Sequence, residues 1–342
     1  MPKISLVVCL YKERAFLERL LLNARDCYDE LIVVHDGVED GEKMSDEFQT
    51  VSYARGWNSP KELSLSDPGA PPKELAIDYA TLPSDSPIPT GYRLSADAPK
   101  PGSIHDLVVR YGGRFYEGPR CFQQEPHWPF AWWSAKYNWI LRLDADEFPS
   151  EELRNWIFKF RMGKEEFSPS PSGFLSIWTQ WDGKKELPPG DHANRLFLFD
   201  KSLVRYFGMA ENTPEIESQV IPLKLLLHHR PNRPSFGLSN LFLRKQYGIW
   251  KKVIATSLLG SPLQLPRWRY SASEWTPHWR YIRDHPFSKI FLSLSLGPLR
   301  DLKNAFITGR PIRLNDVMAS MLHQSMMAYT YLRLRKSKGK NS

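Results

Sequence analysis

Ile4 to Leu10 is an apolar, β-branched run interrupted only by Ser5, the pattern of a strand covered on both faces. From Glu13 to Cys27 the spacing changes. Phe16, Leu17, Leu20, Leu21 and Ala24 recur at intervals of three and four, which predicts one apolar face of a helix. Leu31 to Val34 is a second apolar run, and it ends in His35-Asp36-Gly37. Strand, helix and strand in about 35 residues predict a parallel βαβ unit with a right-handed crossover.

The periodicity then dissolves between about residues 49 and 104. Prolines at 68, 71, 72, 83, 87 and 89 exclude long helices and central strands there. This stretch reads as an insertion packed over the sheet or near the mouth of a site. His105 to Arg110 and Arg114 to Glu117 flank Gly112-Gly113 and read as two short strands around a turn. Trp132 to Tyr137 reads as helical, and Trp139 to Leu143 as another buried strand. Ser150 is suited to cap a helix running through Phe160, with Glu151 and Glu152 in its first turn. Gly173 to Trp181, Arg195 to Phe199 and Lys224 to His228 read as strands, and Ser235 to Ala255 as a helix. Helices near Phe287 to Phe306 and Asn315 to Arg335 follow. On the last, Leu314, Val317, Met318, Met321, Leu322, Ser325, Tyr329 and Leu332 are expected to share one face.

The chain has 342 residues, 42% of them hydrophobic, enough for a large core. Its three cysteines, Cys9, Cys27 and Cys121, are odd in number and widely spaced. They imply neither a disulfide framework nor a zinc motif, and they suit a reducing, cytoplasmic setting. The apolar run near the N-terminus is too short for a signal peptide, and no apolar stretch is long enough for a spanning helix. Charge is lopsided. Residues 1–260 carry 32 Lys/Arg against 34 Asp/Glu, whereas 261–342 carry 14 against 4. A one-sided basic segment points to an anionic partner or forms a solvated face. No zinc-finger, RRM or helix-turn-helix signature accompanies it, which argues against nucleic acid. Trp268, Trp275, Trp279 and Tyr281 lie among Arg267, Arg269, Arg280 and Arg283. That mixture predicts peripheral contact with the cytoplasmic face of an anionic membrane. The expected organisation is an α/β domain over 1–260 and a basic helical region over 261–342.

The chemistry concentrates at Asp144-Ala145-Asp146, placed at the carboxyl end of the Trp139 strand, where open α/β sheets bind ligands. Two carboxylates one residue apart suit Mg²⁺ or Mn²⁺ together with substrate phosphate oxygens. An acidic turn before a helix is the structural alternative.

Three blocks resemble the family 2 glycosyltransferases of the GT-A fold, especially the bacterial branch that builds lipopolysaccharide core and surface glycans. They are Ser5 to Glu13, Glu30 to Gly37, and Trp139 to Glu147. The resemblance implies the GT-A nucleotide-diphospho-sugar transferase fold, a mostly parallel central sheet flanked by helices, here with a C-terminal helical extension. It implies a nucleotide-sugar donor, commonly a UDP-sugar, with inversion at the sugar carbon and a glycan or lipid-linked acceptor. Tyr11 and Glu13 would line the nucleotide pocket, and Asp36 would bond uracil or ribose. Asp144 would face ribose and metal, Asp146 would be the main metal ligand, and His228 or its neighbour His229 would complete the coordination. The chain departs from the family pattern at Lys12, in Cys121 to Trp133, and at Ala210-Glu211, where relatives carry a His-Glu pair. An acceptor-activating carboxylate base is expected; Asp182, Asp191 and Glu211 are candidates, with Asp182 or Glu211 preferred. The alternative reading is a non-catalytic GT-A-like protein that binds glycans.

Overall fold

Every residue of Ile4–Leu10 is buried in strand β1, as an apolar run without alternation requires. The computed structural model describes residues 1–39, 77–95, 98–119, 121, 123–168, 170–187, 194–209, 212–231, 254–255, 258–259, 265–270, 277–308 and 314–338. After β1 come β2 (Glu30–Asp36), β3 (Arg93–Leu94), β4 (Arg114–Gly118), β5 (Trp139–Arg142), β6 (Glu147–Pro149) and β7 (Gly173–Trp178). They are followed by β8 (Gln180–Trp181), β9 (Glu186–Leu187), β10 (Asn194–Asp200), β11 (Val204–Phe207), β12 (Glu215–Ile216), β13 (Val220–His229) and β14 (Arg267–Trp268). The helices are α1 (Arg14–Asn23), α2 (Ile104–Arg110), α3 (Trp128–Ser134), α4 (Glu151–Arg161), α5 (Pro277–Asp284), α6 (Pro286–Ser295), α7 (Gly297–Thr308) and α8 (Leu314–Lys338).

The fold is α/β around a nine-stranded sheet in the order β3-β4-β2-β1-β5-β10-β7-β13-β6. β4, β2, β1 and β5 run parallel. Beyond β5 the directions are mixed: β10 is antiparallel to β5 and β7, β13 is parallel to β7, and β6 is antiparallel to β13. The sheet is therefore mixed rather than mostly parallel. Helical crossovers confine the parallel order to the N-terminal half, whereas β10 lies beside β5 with opposite sense.

Successive side chains of β1, β2 and β5 point to opposite faces. Leu6, Val8, Leu10, Val33 and Leu141 meet Leu17, Leu107, Val108, Leu153 and Ile157 from α1, α2 and α4. Val7, Cys9, Ile32, Val34 and Ile140 meet Trp128, Phe130 and Trp132 of α3. That second core also contains Trp268, Tyr270, Trp279, Ile282, Met327, Ala328, Tyr331 and Leu334. The basic region after residue 260 thus shares a core with β1 and does not pack as a separate unit.

Three expectations change. His105 to Arg110 is helix, not strand: Ser103 caps it by accepting the Asp106 N–H, and Ile104, Leu107 and Val108 are buried at helical spacing. The C-terminal part of the expected insertion is core: Tyr79 is fully buried, and Tyr92 stacks on Phe130 with ring centroids 3.7 Å apart. Residues 40–76 and the predicted helix over 235–255, except 254–255, lie outside the described residues. The long last helix buries Met327, Ala328, Tyr331 and Leu334, while Leu314, Met318 and Tyr329 are exposed. Apolar residues occur on several sides of that helix, so spacing alone did not choose its packed face. Ser150 does cap α4, accepting the Leu153 N–H. Among the described residues, no helix is long and apolar enough to cross a membrane.

Candidate functional site

The loops leaving β1, β2 and β5 meet because these strands are parallel neighbours whose registers align Leu10 with His35 and Val7 with Arg142. Lys12 adopts a φ of 56° at the first turn, an uncommon conformation for a residue with a side chain. His35 secures it. The Lys12 N–H donates to His35 Nε2 at 3.3 Å, and His35 Nδ1 lies 2.8 Å from the Gly37 carbonyl. These contacts require a neutral ring protonated at Nδ1. Burial also pushes the His35 pKa down. Tyr11, partly exposed, packs its ring 5.6 Å from His35. Tyr11 and Lys12 are therefore held to β2 as well as β1.

The Asp144-Ala145-Asp146 turn is closed reciprocally. Glu147 N–H donates to the Asp144 carbonyl at 3.0 Å, and Glu147 Oε2 accepts the Asp144 N–H at 2.9 Å. Glu147 is fully buried, and burial raises its pKa. Two groups stabilise its charged form: Trp178 Nε1 donates to it at 2.8 Å, and Arg195 Nε approaches within 3.1 Å. Arg195 also donates to Asp144 Oδ2 at 2.5 Å. Burial opposes the Arg195 charge, but Glu147 and Asp144 outweigh it and raise its pKa.

The β13–β6 register sets His228 opposite Phe148 and His229 opposite Glu147. Consecutive strand residues face opposite sides, so only one histidine reaches the acidic turn. His229 Nε2 lies 3.5 Å from Asp146 Oδ2, and its ring stacks on Trp178 with centroids 4.4 Å apart. His228 Nδ1 instead meets Glu186 at 2.9 Å, beside Arg230. The histidine brought to Asp146 is His229, not His228.

Glu13 completes the acidic side. Burial, followed by repulsion from Asp146 and Asp144, pushes its pKa up to about 8. Glu13, Asp144 and Asp146 are thus near enough to repel one another, and Arg195 pairs with Asp144. Such oxygen groups with one imidazole could hold a hard divalent cation that draws further ligands from phosphate and water, although among the described residues the set whose ligand atoms already lie within 4.8 Å of one another is Asp36, Cys121 and His127.

Asp36 lies elsewhere than expected. It is 2% exposed, and its Oδ1 accepts the Cys121 N–H at 2.5 Å and faces His127 Nε2 at 3.1 Å. The chain folds back after β4 to cap this carboxylate, which is buried beneath it. Asp36, Cys121 and His127 bring potential ligand atoms within 4.8 Å of one another, but Asp36 is already hydrogen-bonded within this buried set. Asp182 is a turn residue whose Oδ1 accepts the Lys184 and Lys185 N–H groups, both at 2.8 Å. Glu211 and Asp191 lie outside the described residues. Trp178 supports His229 and Glu147. Sequence reasoning missed Glu147, Arg195 and His127. The only signal was the placement of Glu147 directly after the acidic turn.

Comparison with protein-family models finds no match for this chain, and comparison with curated proteins finds none.

Proposed function

We propose that this chain is a metal-dependent, inverting glycosyltransferase of GT-A type. It would move a sugar from a nucleotide-sugar donor, most simply a UDP-sugar, to a glycan or lipid-linked acceptor of a cell-surface polysaccharide. The observation that carries this reading is the placement of Glu13, Asp144 and Asp146 just past the carboxyl ends of parallel β1 and β5, with His229 of β13 beside Asp146. Open α/β sheets bind nucleotides at such edges, and beside these carboxylates a cation would offset the charge of a diphosphate.

Asp146 would be the principal ligand, with His229 and the oxygen of Asp144 turned away from Arg195. A bound divalent ion offsets charge on a departing diphosphate. The protein contributes rigidity: Arg195 and Glu147 hold Asp144, Trp178 holds His229, and His35 holds the Tyr11 loop. The Asp36–His127 pair would shape the floor beneath the nucleotide rather than touch its base. A carboxylate base would take the acceptor hydroxyl proton. Because Asp182 caps a turn through one oxygen, Glu211 is the preferred candidate.

The acceptor is proposed to be lipid-carried because of α6 and α7. Phe287, Phe291, Leu299, Phe306 and Ile307 on these helices are 61–88% exposed, beside exposed Arg300 and Lys303. Exposed aromatics with basic neighbours suit the surface of an anionic bilayer. Trp268 and Trp279 do not take this role, since both are buried in the core. The cytoplasmic face of the membrane is the corresponding proposed location.

The test is release of UDP from a panel of UDP-sugars with Mn²⁺, comparing the full chain with Asp146→Asn. Metal-dependent release that is lost in the variant supports the reading. Tight glycan binding with no release from any donor overturns it in favour of a binding protein.

A further inference from the structure

Arg142 is 3% exposed and is the last residue of β5, two before Asp144. Its guanidinium makes no hydrogen bond or ion pair with any described residue, and its Nε is enclosed without an acceptor. The nearest support is the Trp128 ring, 5.5 Å from the guanidinium carbon. Asp144 and Glu147 compensate it only in part, because Arg195 already engages both and burial still pulls the Arg142 pKa down. A buried cation without an acceptor is strongly unfavourable.

A second polar group nearby is also unmatched. The Tyr206 hydroxyl is fully buried and has no partner among the described residues, and it lies close enough to couple electrostatically with Arg142. A guanidinium and a hydroxyl that both lack an acceptor are donors awaiting oxygen atoms. Neutral hydroxyls would leave the charge uncompensated.

We propose that Arg142 and Tyr206 form a seat for an oxyanion, the phosphate or carboxylate group of a ligand that enters beside Asp144. This seat is distinct from the cation set at Asp146 and does not depend on it. In a nucleotide-sugar enzyme the oxyanion would be donor diphosphate or the carboxylate of an acidic sugar.

The experiment is thermal unfolding of the full chain in EDTA, at matched ionic strength, with inorganic pyrophosphate or glucuronate as probe. Wild type is expected to gain about 3 °C or more with one of them at saturation. A pyrophosphate-only response assigns a diphosphate seat, and a glucuronate-only response a carboxylate seat. Arg142→Met removes the uncompensated charge, so its Tm without anion should equal or exceed that of wild type, and its anion response should vanish. Arg142→Lys should keep part of the response. The proposal is overturned if neither anion shifts wild type, if the shift survives in Arg142→Met, or if that variant is less stable than wild type without anion. Because EDTA removes the cation, failure here leaves the metal-dependent transfer reading to its own test.

Discussion

His229 Nε2 lies 3.5 Å from the Asp146 carboxylate, whereas the adjacent His228 reaches Glu186 on the other side of the strand. The pairing of β13 with β6 separates two histidines that are equivalent in the sequence. His229→Ala is therefore expected to weaken Mn²⁺ binding by roughly ten- to a hundredfold, and His228→Ala by little. Isothermal titration with Mn²⁺ in the presence of UDP measures both, and equal losses would contradict the assignment.

The two preferred acidic candidates for acceptor activation should separate cleanly. Asp182→Ala removes the acceptor for two backbone N–H groups. It is expected to cost about 0.5–1.5 kcal/mol of stability and to change transfer little. Glu211→Gln should lower kcat by roughly 10²- to 10⁴-fold with little change in KM. Denaturant unfolding and steady-state kinetics on both variants provide the check.

How far the sequence reached depended on whether a feature was local. β1, β2 and β5 are uninterrupted apolar runs, so their position, and that of Asp144 and Asp146 after β5, could be read from spacing. The sheet order beyond β5 could not, because no local pattern says that β10 lies between β5 and β7. Val108-Val109 suggested a strand, but the Ser103 cap and helical packing against Leu31 and Phe115 prevailed. Asp36 looked available because it ends a strand, yet Cys121 and His127, distant in sequence, enclose it. The roles of Arg195 and Glu147 depend on β10 meeting β5 and were likewise invisible.

Lys201 gives the fold a pH signature. Its ammonium donates to the Trp132 and Ala135 carbonyls at 2.8 and 2.6 Å, yet burial pushes its pKa down from 10.5 to about 8. Below about pH 8 both folded and unfolded chains carry this proton, and the burial cost is fully present. Between about 8 and 10.5 the unfolded chain binds more protons, so this residue's contribution to stability rises with pH. The stability difference between wild type and Lys201→Met should shift in favour of wild type across that window. A pH-independent difference in denaturant midpoint would contradict this.

Apolar contact with lipid is expected to run through α6 and α7. Replacing Phe287, Phe291 and Phe306 with Ser in the full chain should reduce flotation with phosphatidylglycerol vesicles by at least about tenfold. The fold should be unaffected, because all three side chains are exposed. Truncation near residue 260 would be a poor test, since it removes Trp268, Trp279 and Tyr331 from the shared core. Unchanged flotation of the triple variant would remove the lipid-facing role.

The most direct measurement is equilibrium binding of UDP to the full chain with Mn²⁺ and with EDTA, for wild type and Asp146→Asn. Binding should be strong only with Mn²⁺ in wild type and should fall by at least about tenfold in the variant. UDP affinity that is indifferent to Mn²⁺, or equal in wild type and Asp146→Asn, would contradict a cation bridge between the Asp144-Ala145-Asp146 turn and a nucleotide diphosphate.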